Sequence, residues 1–125
     1  MIVGTGVDIT EVNRIREAIE RFGDRFLRRV FTPAEIAYCA TKRNNVERLA
    51  ARFAAKEAAL KALGTGLRHG ITWRDVEVRR QPGSRPTIAF SGVAAEFAAR
   101  LGVKHIALSL SHTAEQAIAM VILED

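Results

Sequence analysis

Little in this chain is available for cross-linking, zinc binding or membrane insertion. A single cysteine, Cys39, stands among 125 residues, so no disulfide can close within the chain. Its surroundings, Ile36-Ala37-Tyr38-Cys39-Ala40, are apolar and helical in pattern, which favours a packed, inert thiol and fits a reducing cytosol. The three histidines, His69, His105 and His112, form no Cys/His spacing of a zinc site. No apolar run approaches the roughly 18 residues of a membrane span. The opening Met1-Ile2-Val3-Gly4 also lacks the basic-then-apolar layout of a signal peptide. The expectation is a cytoplasmic protein with no membrane partner. There is no repeat, low-complexity stretch or linker, so residues 1–125 read as a single domain, large enough to bury a core without staples.

What is present is basic. Nineteen Lys and Arg against 14 Asp and Glu leave a formal charge of +5, which points to a polyanionic partner without naming it. A nucleic-acid-binding module accounts for that charge. It does not account for aromatics that are scarce (6%) and not interleaved with the basic residues, nor for the carboxylates discussed below. Nucleic acid is therefore not the expected partner.

The apolar periodicity predicts an α+β domain, with helices concentrated in the first half and an antiparallel sheet completed in the second. Met1 to Val7 reads as a strand ending at Asp8. Thr10 is placed to cap a helix carrying Val12, Ile15, Ile19 and Phe22, closed by Gly23, with Asp24 starting another turn. Thr32-Pro33-Ala34-Glu35 has the form of a capping box with proline at the first helical position. Asn44-Asn45 marks a break, and the alanine-rich Val46–Leu63 segment is the strongest helix, capped by Gly64. Strands are expected at Thr72–Val78 and Pro86–Phe90, a Ser91-capped helix over Val93–Leu101, and final strands at His105–Ser111 and Gln116–Leu123.

Two places carry candidate chemistry. Asp8 follows Gly4-Thr5-Gly6-Val7 at a strand end, and is either a helix cap or a ligand; the glycines let another group approach the backbone closely. In Arg52-Phe53-Ala54-Ala55-Lys56-Glu57-Ala58-Ala59-Leu60-Lys61, residues Phe53, Glu57 and Lys61 fall on one helix face. Glu57 and Lys61 are either a solvated ion pair or part of a phosphate site. Arg52 and Lys56 favour the latter, as further cations around a glutamate able to hold a metal. Gly64-Thr65-Gly66 follows a helix rather than preceding one, so it reads as a cap and not a phosphate cradle. The adjacency of Ser111 and His112 is no evidence for a hydrolytic triad.

Taken together, Gly6-Val7-Asp8-Ile9-Thr10-Glu11 with Arg14, Arg52-Phe53-Ala54-Ala55-Lys56-Glu57-Ala58 with Lys61, Gly64-Thr65-Gly66 and Ser109-Leu110-Ser111-His112 resemble the holo-acyl-carrier-protein synthase family, the small 4′-phosphopantetheinyl transferases. The resemblance spans nearly the whole chain in the family's order. It implies transfer of the phosphopantetheine arm of coenzyme A to a serine of an apo acyl carrier protein, with release of 3′,5′-ADP, in support of fatty acid biosynthesis. It implies Mg2+ held on the coenzyme A pyrophosphate by Asp8 and Glu57, phosphate contacts from Lys61 and His112, and Arg52 near the nucleotide. It also implies a homotrimer with sites between neighbours. Larger relatives carry a second acid two residues after the first. Thr10 stands there in this chain, so water is expected in place of a third protein ligand. The serine hydroxyl must lose a proton to Glu57, acting through water, or to Asp8.

Arg14, Arg21, Arg25 and Arg28 are spaced by seven, four and three residues, close to one helical face interrupted at Gly23-Asp24. They form either a solvated basic face or, as the resemblance implies, a docking surface for the acidic carrier protein.

Overall fold

The computed structural model describes residues 1–125, and its long central helix organises everything else. Strand β1 (Ile2–Glu11) leads into α1 (Val12–Phe22), α2 (Asp24–Val30), α3 (Pro33–Ala40) and the central helix α4 (Asn45–Leu63). Strands β2 (Val76–Arg79) and β3 (Thr87–Phe90), helix α5 (Gly92–Leu101), and strands β4 (His105–His112) and β5 (Gln116–Glu124) complete the chain. The main sheet has the order β1-β5-β4, antiparallel throughout, and β2-β3 is a separate antiparallel pair.

Helix α4 covers one face of the main sheet, and small residues set how closely. Ala50, Ala51, Ala54, Ala55, Ala58, Ala59 and Ala62 are buried on it. Opposite them, a Cβ added at Gly6 would lie 1.9 Å from the Ala58 carbonyl oxygen, and one at Gly4 would lie 2.1 Å from that of Ala62. Only glycine permits that approach, so the group expected near these glycines is the protein's own helix. Alternating inward residues Ala117, Ala119, Val121 and Leu123 of β5 are buried beneath α4.

Most of the expected elements are present. The capping box forms: Thr32 accepts from the Glu35 backbone N–H, and Glu35 accepts from that of Thr32 at 2.8 Å. Gly64 and Gly102 close their helices in the left-handed conformation, φ 80° and 81°. Four details differ. β1 continues past Asp8 to Glu11, because β5 supplies ladder partners as far as Gln116. Thr10 is consequently a strand residue and caps nothing. Trp73–Asp75 is a 3-10 turn under its own Thr72–Asp75 capping box, which delays the following strand to Val76. Ser91 precedes α5 without a side-chain capping bond.

Candidate active site

The close packing of β1 on α4 brings the two candidate motifs together. Asp8 lies on the helix-facing side of β1, in line with Gly4 and Gly6, and its side chain is 15% exposed. Lys61 reaches across from α4 and donates to Asp8 Oδ1 and to the Val7 carbonyl, both at 3.0 Å. Thr10 Oγ1 donates to Asp8 Oδ2 at 2.7 Å. Thr10, standing where larger relatives carry an acid, thus orients the carboxylate instead of adding charge. Lys61 forms its ion pair with Asp8 and not with Glu57, which removes the reading of Glu57 and Lys61 as a simple solvated pair.

Glu57 sits half-buried beside this pair. Burial holds its carboxyl above the ordinary carboxylate range, and the charge of Asp8 pushes further in the same direction. Lys61 and Arg14 pull it partly back. Arg14 on α1 therefore belongs electrostatically with the carboxylates. Two oxygen-donor side chains under mutual repulsion fit a hard divalent cation such as Mg2+, which favours oxygen and keeps several waters. No third Asp, Glu, His or Cys joins them, so Asp8 and Glu57 are the donors this chain can offer.

Lys56 is a correction. Its position beside Glu57 in sequence suggested a phosphate contact. Residues one apart on a helix point about 100° away from each other, and Lys56 points inward. Its side chain is fully buried and paired at 2.7 Å with the equally buried Glu35. It also donates to the carbonyls of Val76 and, at 3.3 Å, Trp73. Glu35 accepts in turn from the Val78 backbone N–H at 2.9 Å. Lys56 ties α3 and the β2 strand to α4 and has no access to a ligand.

Arg52 is 5% exposed, with its guanidinium 4.4 Å above the Tyr38 ring and a buried Nε that has no hydrogen-bond partner. Lys42 lies 5.1 Å over the same ring. Beside them, Tyr38, Lys42, Arg48, Arg80, Gln81, Pro82 and Gly83 line a cavity of about 420 Å³. Of this cationic group the sequence reading singled out Arg52 alone; the four-residue spacing of Arg48 and Arg52 on α4 was the available signal for one more. His112, at the end of β4, pairs through Nδ1 with Glu47 at 3.3 Å. Glu47 and Glu57 are ten residues apart on α4, about 15 Å along its axis. Within one chain, His112 and the carboxylates are therefore at separate places.

The four arginines do not share one groove. Arg14 joins the carboxylates, while Arg21 lies 5.3 Å over the Phe22 ring. Arg25 lines a small groove with Phe22, Phe26 and Arg29, and Arg28 lines a different pair of cavities. The break at Gly23, φ 57°, separates them. Burial raises the pKa of the Cys39 thiol, as a packed side chain requires.

Comparison with known proteins agrees with this geometry. The profile of the 4′-phosphopantetheinyl transferase superfamily matches residues 4–121. A holo-[acyl-carrier-protein] synthase from Koribacter versatilis is 63% identical over 125 residues, covering all of both chains. The crystal structure of the Neisseria meningitidis holo-[acyl-carrier-protein] synthase superposes with a TM-score of 0.90 at 32% identity, again over all of both chains. That of the Helicobacter pylori enzyme, in complex with coenzyme A, gives 0.84 at 32% identity over 96% of this chain and 99% of that one. The chain belongs to the 4′-phosphopantetheinyl transferase superfamily and, within it, to the holo-[acyl-carrier-protein] synthases. It is an enzyme of the phosphopantetheinyl transferase class, and its α+β fold is theirs.

Proposed function

We propose that this enzyme transfers the 4′-phosphopantetheine arm of coenzyme A to a serine hydroxyl of an apo acyl carrier protein, releasing 3′,5′-ADP, in the cytoplasm and in service of fatty acid synthesis. The observation that carries the reading is the convergence of Asp8, Glu57 and Lys61 on one partly open surface, with Thr10 fixing Asp8. In the transfer, the serine oxygen forms a bond to the β-phosphorus of coenzyme A as the bond to the 3′,5′-ADP oxygen breaks. The serine proton must leave. Glu57 takes it through water, with Asp8 the alternative base. Lys61 stands beside the carboxylates to neutralise phosphate charge. Mg2+ held by Asp8 and Glu57 would supply further charge neutralisation on the pyrophosphate.

The nucleotide end fits the cationic group of Arg52, Lys42, Arg48 and Arg80 around Tyr38. Arg52 supports this in particular, because its buried, unpartnered Nε is a donor without an acceptor in the free chain. The outward face of the main sheet supports the expected homotrimer. Val7 stands directly opposite Met120, and Ile9 opposite Ile118, and all four are between 44% and 60% exposed. An apolar patch of this kind marks an interface. His112 shares a small cavity with Ile9 and Ile118 at its edge. A neighbour seated on this face would bring one chain's His112 toward another's carboxylates.

The test mixes enzyme, coenzyme A, Mg2+ and apo carrier protein. Mass spectrometry should find one phosphopantetheine on a serine. Asp8→Ala and Glu57→Gln should lose nearly all transfer, and should also lose the Mg2+-dependent part of coenzyme A binding measured by calorimetry. Mixed Glu57→Gln and His112→Ala subunits should recover activity if sites are shared. Transfer that survives either carboxylate substitution would exclude this site.

A further inference from the structure

The most spacious of the principal cavities is not at the carboxylates. It encloses about 750 Å³ between α2 and the segment from Leu67 to Arg74, with Ile71 and Trp73 on its floor and Arg28, Arg29 and Arg74 at its rim. A second cavity of about 390 Å³, floored by Phe31 and Ile36, shares Arg28, Pro33 and Arg74 with the first. The two are halves of one furrow, ridged by Arg28 and Arg74. No acidic residue lines either half. Arg29 and Arg74 pair with no carboxylate, and the only acid near Arg28 is Asp24 at 3.8 Å, with both side chains 78% exposed. Such a pair leaves the guanidinium charge largely available.

We propose that this furrow is a second docking point for the protein substrate, receiving an acidic, amphipathic segment away from the modified serine, with Arg74 setting its register. The inference rests on the carrier-protein reading above. Chemistry favours a protein segment over a compact anion, because Leu67, Ile71 and Trp73, among the arginines and the threonines Thr32 and Thr72, offer apolar surface that a small polyphosphate would leave uncovered. Guanidinium groups above a tryptophan-containing apolar floor are the composition of protein-binding hot spots. The furrow is also connected to the transfer site. The Trp73 ring packs on that of Phe53 at 5.0 Å between centroids. Phe53 precedes Glu57 by one helical turn, about 6 Å along α4. Trp73 thereby joins the furrow to the α4 face that carries Phe53 and Glu57. Arg74 lies outside the α1–α2 set that sequence spacing singled out, since only the 3-10 turn at Trp73–Asp75 brings it there.

Steady-state transfer is measured with carrier protein and coenzyme A varied in turn. Arg74→Glu should raise the KM for carrier protein about tenfold at low salt, with kcat and the coenzyme A KM within twofold of wild type. The difference should shrink as salt screens the contact. Arg74 is exposed and unpaired, so the melting temperature should not move. Arg100→Glu, an equal charge change on α5, should leave the carrier KM unchanged. A carrier variant with one acidic residue changed to lysine should recover affinity for Arg74→Glu. An unaltered carrier KM in Arg74→Glu, an equal effect of Arg100→Glu, or a raised coenzyme A KM instead would each overturn the furrow as a docking point while leaving the transfer reading intact. A wild-type enzyme that modifies no carrier protein would overturn both.

Discussion

Helix α4 carries two lysines five residues apart, each paired with a carboxylate, and the two pairs have opposite characters. Lys56 and Glu35 are both fully buried, and Lys56 spends its remaining donors on two backbone carbonyls. Lys61 is 52% exposed against an Asp8 that is 15% exposed, and keeps an open side toward solvent. The first arrangement is closed, with its polar atoms committed to the fold. The second keeps acceptor capacity on Asp8 and donor capacity on Lys61 for a substrate. On this helix a closed ion pair is thus separated from an open one by side-chain direction, not by residue type.

Removing each lysine should expose that difference most strongly. Lys56→Met leaves a buried carboxylate without its cation, which costs about 3–5 kcal/mol. Urea unfolding should show that loss, or the variant should fail to fold. Lys61→Met should change stability by under about 1 kcal/mol, yet lower transfer severely. A stability loss at Lys61 as large as that at Lys56 would show that both pairs serve the fold alike.

A smaller effect tests how the open pair is assembled. Gly6→Ala places a Cβ 1.9 Å from the Ala58 carbonyl oxygen, so β1 and α4 must separate. Overpacking of this kind costs about 1–3 kcal/mol. The shift should also carry Asp8 away from Lys61 and Glu57, and reduce transfer beyond what the stability loss explains. Gly102→Ala is the control. Gly102, unlike Gly6, has positive φ, and an added Cβ there meets no atom within 4 Å, so Gly102→Ala should lose stability alone.

The same geometry explains which features were legible in the sequence. Helix ends were, because caps are local: Thr32-Pro33-Ala34-Glu35 and Gly64 act through neighbours a few residues away. The pairing of Asp8 with the Glu57 helix was legible only through family resemblance, because nothing local says that Gly4 and Gly6 meet Ala62 and Ala58. Lys56 was misplaced because its partner, Glu35, lies on another helix, and a lysine beside a glutamate in a candidate site looks cationic and available until burial is known. Trp73 and Arg74 were hidden for a related reason. Thr72 to Val78 alternates like a strand, and the Thr72–Asp75 cap diverts its first residues into a turn.

The smallest effect sharpens the comparison from the side of Glu57. Its carboxyl titrates above the ordinary range, because burial and the charge of Asp8 disfavour the ionised form. The folded state therefore binds this proton more tightly than the unfolded chain does. Below the unfolded pKa both states are protonated and nothing is lost. As pH rises through the interval up to the raised folded value, the folded state loses stability relative to the unfolded one, and above it the loss is complete. Glu57→Gln removes that ionisation. The variant should be slightly more stable than wild type at neutral pH, and the gain should vanish on acidification into the ordinary carboxylate range. Mg2+ with coenzyme A should reverse the order, since a ligand that binds only the folded state stabilises it by mass action, and the variant lacks one of the two carboxylates. Thermal melts of both proteins across pH, with and without ligand, read this directly. A Glu57→Gln variant less stable than wild type at neutral pH without ligand would show that Glu57 contributes to the fold as Glu35 does, and the division between the buried and the open pair on α4 would fail.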